Sequence, residues 1–160
     1  MKRLFVFTIF ISFLQCLKAQ KTWDGGGGDG QWSTAANWVG DMAPVSGDDV
    51  LLDNSSLSGN YTVTLPNTAV TVVSLTITPN SGNTIVLLLP TTNTITADAF
   101  VTTGTGYTVI INSGGVFENS ATVASGTNLT IADSFRINNG GRYLHKTRSG
   151  HATWVQRLAK

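Results

Sequence analysis

The sequence predicts an all-β chain wound as a right-handed parallel β-helix, a β-solenoid, with a Trp/Gly-rich cap at its N-terminal end. Three observations carry this reading. Between residues 48 and 145 the chain is a series of short segments rich in Val, Ile, Leu and Thr, divided by turn residues. No stretch there has the i, i+3, i+4 apolar spacing of a helix over three turns. Two short echoes recur at offsets that suit stacked coils. The alternative that the same strands allow is an antiparallel β-sandwich.

The chain has room for one domain at 160 residues. It opens with "MKRLFVFTIFISFLQCLKAQ", in which Lys2 and Arg3 precede an apolar run from Leu4 to Leu14 and a small residue follows at Ala19. That order predicts a secretory signal peptide over residues 1–19, cleaved between Ala19 and Gln20. The run is well short of the roughly 20 apolar residues of a spanning helix, so no membrane span is expected after cleavage. Leu14 and Gln15 stand where a lipoprotein signal ending at Cys16 would carry small residues. Cleavage removes Cys16, the only cysteine, so the mature chain forms no disulfide in a compartment that permits them. It also removes Lys2, Arg3 and Lys18, leaving seven bases and nine acids, a net charge of 7 − 9 = −2. That balance gives no general pull toward nucleic acid or an anionic membrane.

Residues 20–47 hold "TWDGGGGDGQWSTAANWVGD". Trp23, Trp32 and Trp38 offer large apolar area, and the glycines let the chain turn sharply over itself. The segment lies just before the first expected strand at Val50. An uncovered sheet edge templates aggregation, so this stretch is read as the cap.

From residue 48 to 145 the expected strands are "DDVLLD", "NYTVTL", "AVTVVSLTIT", "NTIVLLL", "YTVIIN" and "NLTIADSFRIN". "INSGGVF" at Ile111 recurs as "INNGGRY" at Ile137, an offset of 26 residues, and "NTITADAF" at Asn93 recurs as "NLTIADSF" at Asn128, an offset of 35. These are close to three and four times a unit of about 9 residues, one strand plus one turn, which a three-sided coil accommodates. The pairs Gly114–Gly115 and Gly140–Gly141 are expected to supply positive φ at corners. Asn112 stacked on Asn138 would form part of an amide ladder. In the tail, residues 146–160, Trp154, Val155 and Leu158 could share one face of a short helix. All nine acids lie between Asp24 and Asp133, whereas six of the seven remaining bases follow them. No dense basic run appears, so the tail is read as a solvated segment.

The block of Trp, a Gly/Asp-rich loop, "DGQWSTAANW", "GD" and "P.SGDDV" resembles the N-terminal region of large secreted and surface-displayed bacterial β-repeat proteins. These are the Bacteroidetes type with a C-terminal sorting domain, and the β-repeats of autotransporter passenger regions are similar. The likeness covers residues 20 to about 145. It implies a secreted or cell-surface structural, adhesin-like solenoid segment. Such proteins are usually much longer and end in a sorting domain that this sequence does not contain, so the resemblance further implies a piece of a larger protein.

The candidate chemistry is sparse. Asp24 and Asp29, in "DGGGGDG", are candidate calcium ligands, but the calcium-binding nonapeptide needs Gly where Asp24 stands and occurs in tandem, so turn-forming aspartates are the favoured reading and no cofactor is expected. Trp23, Trp32 and Trp38 are candidate glycan-stacking residues, against burial in the cap. Surface glycans and the remaining part of a longer chain are the expected partners. The chain is read as having no enzymatic activity. Asp98 and Asp133 share a place in the "ADxF" echo near Arg136 and Arg142, but repetition marks corner residues better than a catalytic pair, which needs a separation of about 5–9.5 Å. The alternative is a polysaccharide-binding or polysaccharide-degrading β-helix.

Overall fold

The computed structural model describes residues 20–150 and the backbone of residues 158–159. The signal-peptide reading of residues 1–19, and the places of Trp154 and Val155 in the expected tail helix, lie outside the described residues. The chain forms a right-handed parallel β-helix of about four coils. Every strand pair between named strands is parallel, which excludes the antiparallel sandwich.

Each coil has three sides. The first coil runs through β2 (Asp49–Asp53), β3 (Tyr61–Thr64) and β4 (Val70–Val72). The second comprises β5 (Ser74–Thr78), β6 (Ile85–Leu89) and β7 (Ala97–Thr102), and the third β8 (Tyr107–Ile111), β9 (Gly115–Asn119) and β10 (Thr127–Thr130). β11 (Ser134–Ile137) and β12 (Arg142–His145) begin the fourth. The first sides stack as β1-β2-β5-β8-β11-β13, where β1 is Gln20–Thr22 and β13 is Leu158–Ala159. The second sides form β3-β6-β9-β12 and the third β4-β7-β10. β13 corrects one expectation: Leu158 lies in a strand paired with Phe135, not in a helix.

Alternation explains the core. In β2, β5 and β6 every second residue points inward and is buried, as in Val50 and Leu52, Leu75 and Ile77, and Ile85, Leu87 and Leu89. Registered stacking then brings like on like, with Val50 against Leu75 and Leu75 against Val109. Each such side chain contributes about 1.5–3 kcal/mol relative to exposure. A rod built this way needs no disulfide.

The two echoes resolve into one geometry. Ile111 pairs with Ile137, so the offset of 26 is one full coil. The offset of 35 is one coil plus one side: Asp98 sits at the start of β7 and Asp133 just before β11, at successive corners. Both aspartates have positive φ, 58° and 50°. The echo therefore marks a kind of corner rather than stacked residues, since Phe100 pairs with Leu129 and Phe135 with Val109.

The edge facing the N-terminus is finished unevenly. β1 pairs with β2 and so covers the first sheet, a strand that the sequence reading had placed inside the cap. The chain then leaves the stack for residues 23–48 and returns at β2. On its way Gln31 bridges Thr64, with Trp32 N–H donating to the Thr64 carbonyl and Thr64 N–H to the Gly30 carbonyl, which covers β3. Among the described residues nothing pairs with the outer edge of β4. No helix among the described residues is long and apolar enough to cross a membrane.

Candidate functional site

Three places gather aromatic or polar side chains: the cap and the corner ladder, built from residues singled out in the sequence, and a groove on the last coils. In the cap, Trp23, Trp32 and Trp38 are 1%, 2% and 0% exposed, so none has a face open to a sugar ring and the stacking expectation is corrected. Trp38 lies between the other two, edge-to-face with Trp23 at 5.0 Å and with Trp32 at 4.9 Å between ring centroids. Tyr61 stacks on Trp23 at 6.3 Å, and burial, helped by the Asp53 charge, holds its phenol protonated well above the usual range. Trp38 Nε1–H donates to the Trp32 carbonyl at 2.7 Å, whereas the buried Trp23 Nε1–H has no acceptor.

The glycine loop is organised by three polar residues. Asp24 accepts from Gly26 N–H at 3.0 Å. Asp29 accepts from Gln31 N–H at 2.9 Å, from Thr34 Oγ1 at 2.6 Å and from Asn37 Nδ2 at 2.6 Å. These bonds, that of Thr34 foremost, hold the Asp29 carboxyl below its ordinary range. A carboxylate so engaged closes a turn. Among the described residues no three His, Cys, Asp or Glu side chains gather where they could hold a metal ion.

Asn37 is the cap residue that sequence reasoning missed. It is fully buried at the end of the short 3₁₀ turn Ala35–Asn37, and its carbonyl accepts from Asp24 N–H and Gly25 N–H at 2.9 and 3.1 Å. Its side chain accepts from Gly27 N–H at 2.9 Å and donates to Asp29 and to the Gln31 carbonyl. The signal was present as an amide wedged between alanines and tryptophan in "AANW", in a segment otherwise read for its rings and carboxylates.

The corner ladder is as expected in part. Asn138 Nδ2 donates to Asn112 Oδ1 at 2.6 Å across one coil. In the glycine pairs only the first member has positive φ, 80° at Gly114 and 83° at Gly140. The second is needed for space: a Cβ on Gly141 would stand 2.4 Å from the Ile111 carbonyl oxygen, and one on Gly115 2.9 Å from the Ile111 side chain. Asp98 accepts from Thr130 Oγ1 at 2.6 Å, and Asp133 from Gly106 N–H at 2.7 Å, each bonding the neighbouring coil. Inside the stack, Asn119 and Asn128 exchange amide bonds at 3.0 and 3.3 Å, a buried polar pair fully engaged with itself and with Ser149.

The groove lies beyond the ends of β6 and β9, between Thr91, the segment 120–124 and residues 146–148, and has a volume of about 420 Å³. Lys146 Nζ sits 3.0 Å from Glu118 Oε1, which also accepts from Ser120 Oγ at 2.6 Å. The Ser120 bond and then Lys146 hold the Glu118 carboxyl below its ordinary range. Thr122 and Thr147 spend their hydroxyl hydrogens on the Thr91 and Val123 carbonyls, at 2.6 and 3.3 Å. What remains toward solvent is hydroxyl oxygen, the Lys146 ammonium and the exposed Arg148. Such a lining suits a hydroxyl-rich or anionic ligand. His145 stands in β12, where its Nε2 donates to the Ser149 carbonyl and its Nδ1 meets the Tyr143 hydroxyl, both at 3.0 Å.

Comparison of the chain with protein-family models, with curated proteins and with solved structures finds no match.

Proposed function

We propose that this chain is a structural, adhesin-like solenoid segment of a protein that acts outside the cell, and that it has no catalytic activity. One observation carries this reading: the repeated polar side chains are spent on holding coil to coil. Asp98 and Asp133, the two carboxylates that could have served as an acid and base, bond Thr130 and Gly106 of the adjacent coil. Asn112 and Asn138 bond each other, and Asn54, Asn60 and Asn67 accept from the backbone of Asn80, Thr84 and Thr94 one coil on. Side chains fixed this way stiffen a rod. The charged n-region, apolar run and Ala19 of residues 1–19 support export.

The test is the intact mass and N-terminus of the protein recovered outside producing cells, combined with protease shaving of whole cells. A species beginning at Gln20 and accessible to protease is the expected result. A species retained inside the cell and beginning at Met1 refutes the reading.

A second reading, polysaccharide binding, is favoured by the groove at Thr91, Ser120, Thr122, Lys146 and Arg148. Saturable binding of an acidic glycan that is lost in Lys146→Ala/Arg148→Ala, with unchanged melting, would establish it.

A further inference from the structure

The two ends of the described solenoid differ in charge and in how their strand edges are finished. Residues 20–53 carry Lys21 against Asp24, Asp29, Asp41, Asp48, Asp49 and Asp53, a formal net charge of 1 − 6 = −5. The last coil, residues 134–150, carries Arg136, Arg142, Lys146 and Arg148 and no acid, a formal charge of +4. Residues 54–133 hold three acids and no base. Three strand spacings separate β2 from β11, so the two poles lie about 14 Å apart. All four bases are exposed; Lys146, although beside Glu118, keeps 56% of its side-chain surface in solvent.

At the acidic end the cap covers two of the three sheets and leaves β4. A groove of about 400 Å³ runs between the arm Ala43–Ser46 and the approach to β4, floored by Trp32, Pro66 and Val70. Pro44 in that arm lacks the N–H that pairing would require. On the same arm and just before it, Val39, Met42 and Val45 are 51%, 59% and 63% exposed, three of the four most exposed large apolar side chains among the described residues. An unpaired strand edge beside exposed apolar residues is a surface that other proteins bury.

We propose that this acidic end receives the basic last coil of a second copy of the chain, stacked head-to-tail along the solenoid axis. Opposite charges orient the approach, and Val39, Met42, Val45 and the free edge of β4 supply the short-range contact. The surfaces that meet are different on the two copies, so the contact is heterologous and does not close on itself. Short linear oligomers follow, not a symmetric dimer. The inference does not depend on export or adhesion.

The experiment is sedimentation of the purified full chain over a concentration series at about 0.01 M and about 1 M salt, where charges are felt over roughly 30 Å and 3 Å. The expected result is a weight-average mass at low salt about twofold or more above that at high salt. Two variants then separate the ends. Met42→Lys/Val45→Lys blocks the acidic end and Arg142→Glu/Arg148→Glu the basic end; all four positions are exposed, so neither pair disturbs the core. Each variant alone is expected to stay monomeric, while an equal mixture forms a one-to-one pair and stops there. A wild-type chain that remains monomeric at low salt overturns the proposal. So does association that either variant leaves intact, or a mixture that does not pair.

Discussion

Trp38 and Trp23 touch edge-to-face in the same cap, yet replacing each with phenylalanine should have very different consequences. Both changes shrink a buried ring and lose a similar packing contribution. Trp38→Phe also removes the Nε1–H that donates to the Trp32 carbonyl at 2.7 Å. A buried carbonyl that loses its donor costs about 1–3 kcal/mol. Trp23→Phe instead removes a buried Nε1–H that has no acceptor, which returns a penalty of about 1–3 kcal/mol and offsets part of the lost packing. Trp38→Phe should therefore destabilise the chain by at least about 2 kcal/mol more than Trp23→Phe. Equilibrium urea unfolding, followed by circular dichroism so that the loss of an indole does not affect the signal, measures both on one scale. Equal costs, or a larger cost at Trp23, would refute the reasoning, because the Trp23 indole would then have an acceptor in solution.

Gly141→Ala should be costly although Gly141 has an ordinary φ, because its Cβ would meet the Ile111 backbone at 2.4 Å; a loss of about 1–3 kcal/mol or more is expected. Gly28→Ala, at φ 72° but with no atom within 4 Å of the new Cβ, should cost less than Gly141→Ala in the same thermal melts, and the reverse order would show that backbone strain outweighs space here. Asn138→Ala breaks the amide bond to Asn112 and should lower stability by about 1 kcal/mol in urea unfolding; unchanged stability would remove the ladder from the account. Acid should destabilise the fold through Asp29 and Glu118. Their carboxyls are held below the ordinary range in the folded chain, so the stability they contribute is present above the unfolded values near about 4 and is lost as pH falls through the lower folded ones. Melting temperature should be level from neutral to about pH 5 and fall below it, with a shallower fall in Asp29→Asn/Glu118→Gln. Equal slopes in the variant and the parent would refute this assignment.

The parts of the fold that were legible in the sequence are those where a corner is made by residues that also make ordinary turns. Gly114 and Gly140 need positive φ, and β8 and β11 before them lie in segments expected as strands, whereas β9 and β12 after them lie outside that series. Two other corners have no glycine. "AVTVVSLTIT" reads as one strand because it has neither Gly nor Pro, yet it is β4 and β5 divided at Val73. The bend costs little because Val73 N–H donates to the Asp48 carbonyl of the preceding coil at 2.8 Å. "NLTIADSFRIN" likewise divides at Asp133, which reaches Gly106 in the coil before it. In both cases the hydrogen bond that makes the corner affordable joins residues about 25 apart, and no local window contains it. The same limit hid β1, which is three residues long and becomes a strand only because β2 lies beside it.

The cap shows the opposite balance. Its location was plain from Trp23, Trp32 and Trp38, and the fold makes buried rings and turn-closing aspartates of residues that were also candidates for glycan stacking and calcium. Aromatic rings and carboxylates in a glycine-rich loop have the composition of a binding site whether they face outward or inward. Direction is decided by Asn37, whose five polar contacts with the loop draw Asp24, Gly25, Gly27, Asp29 and Gln31 around one buried amide. Once that loop is pinned, Trp38 can lie only against Trp23 and Trp32, and the cluster seals the stack above Tyr61. What the cap cannot do with the same residues is cover β4. Its returning arm passes that edge as Ala43–Pro44, which cannot pair there, so the capping solution that closes the first two sheets is also the reason that the third remains open.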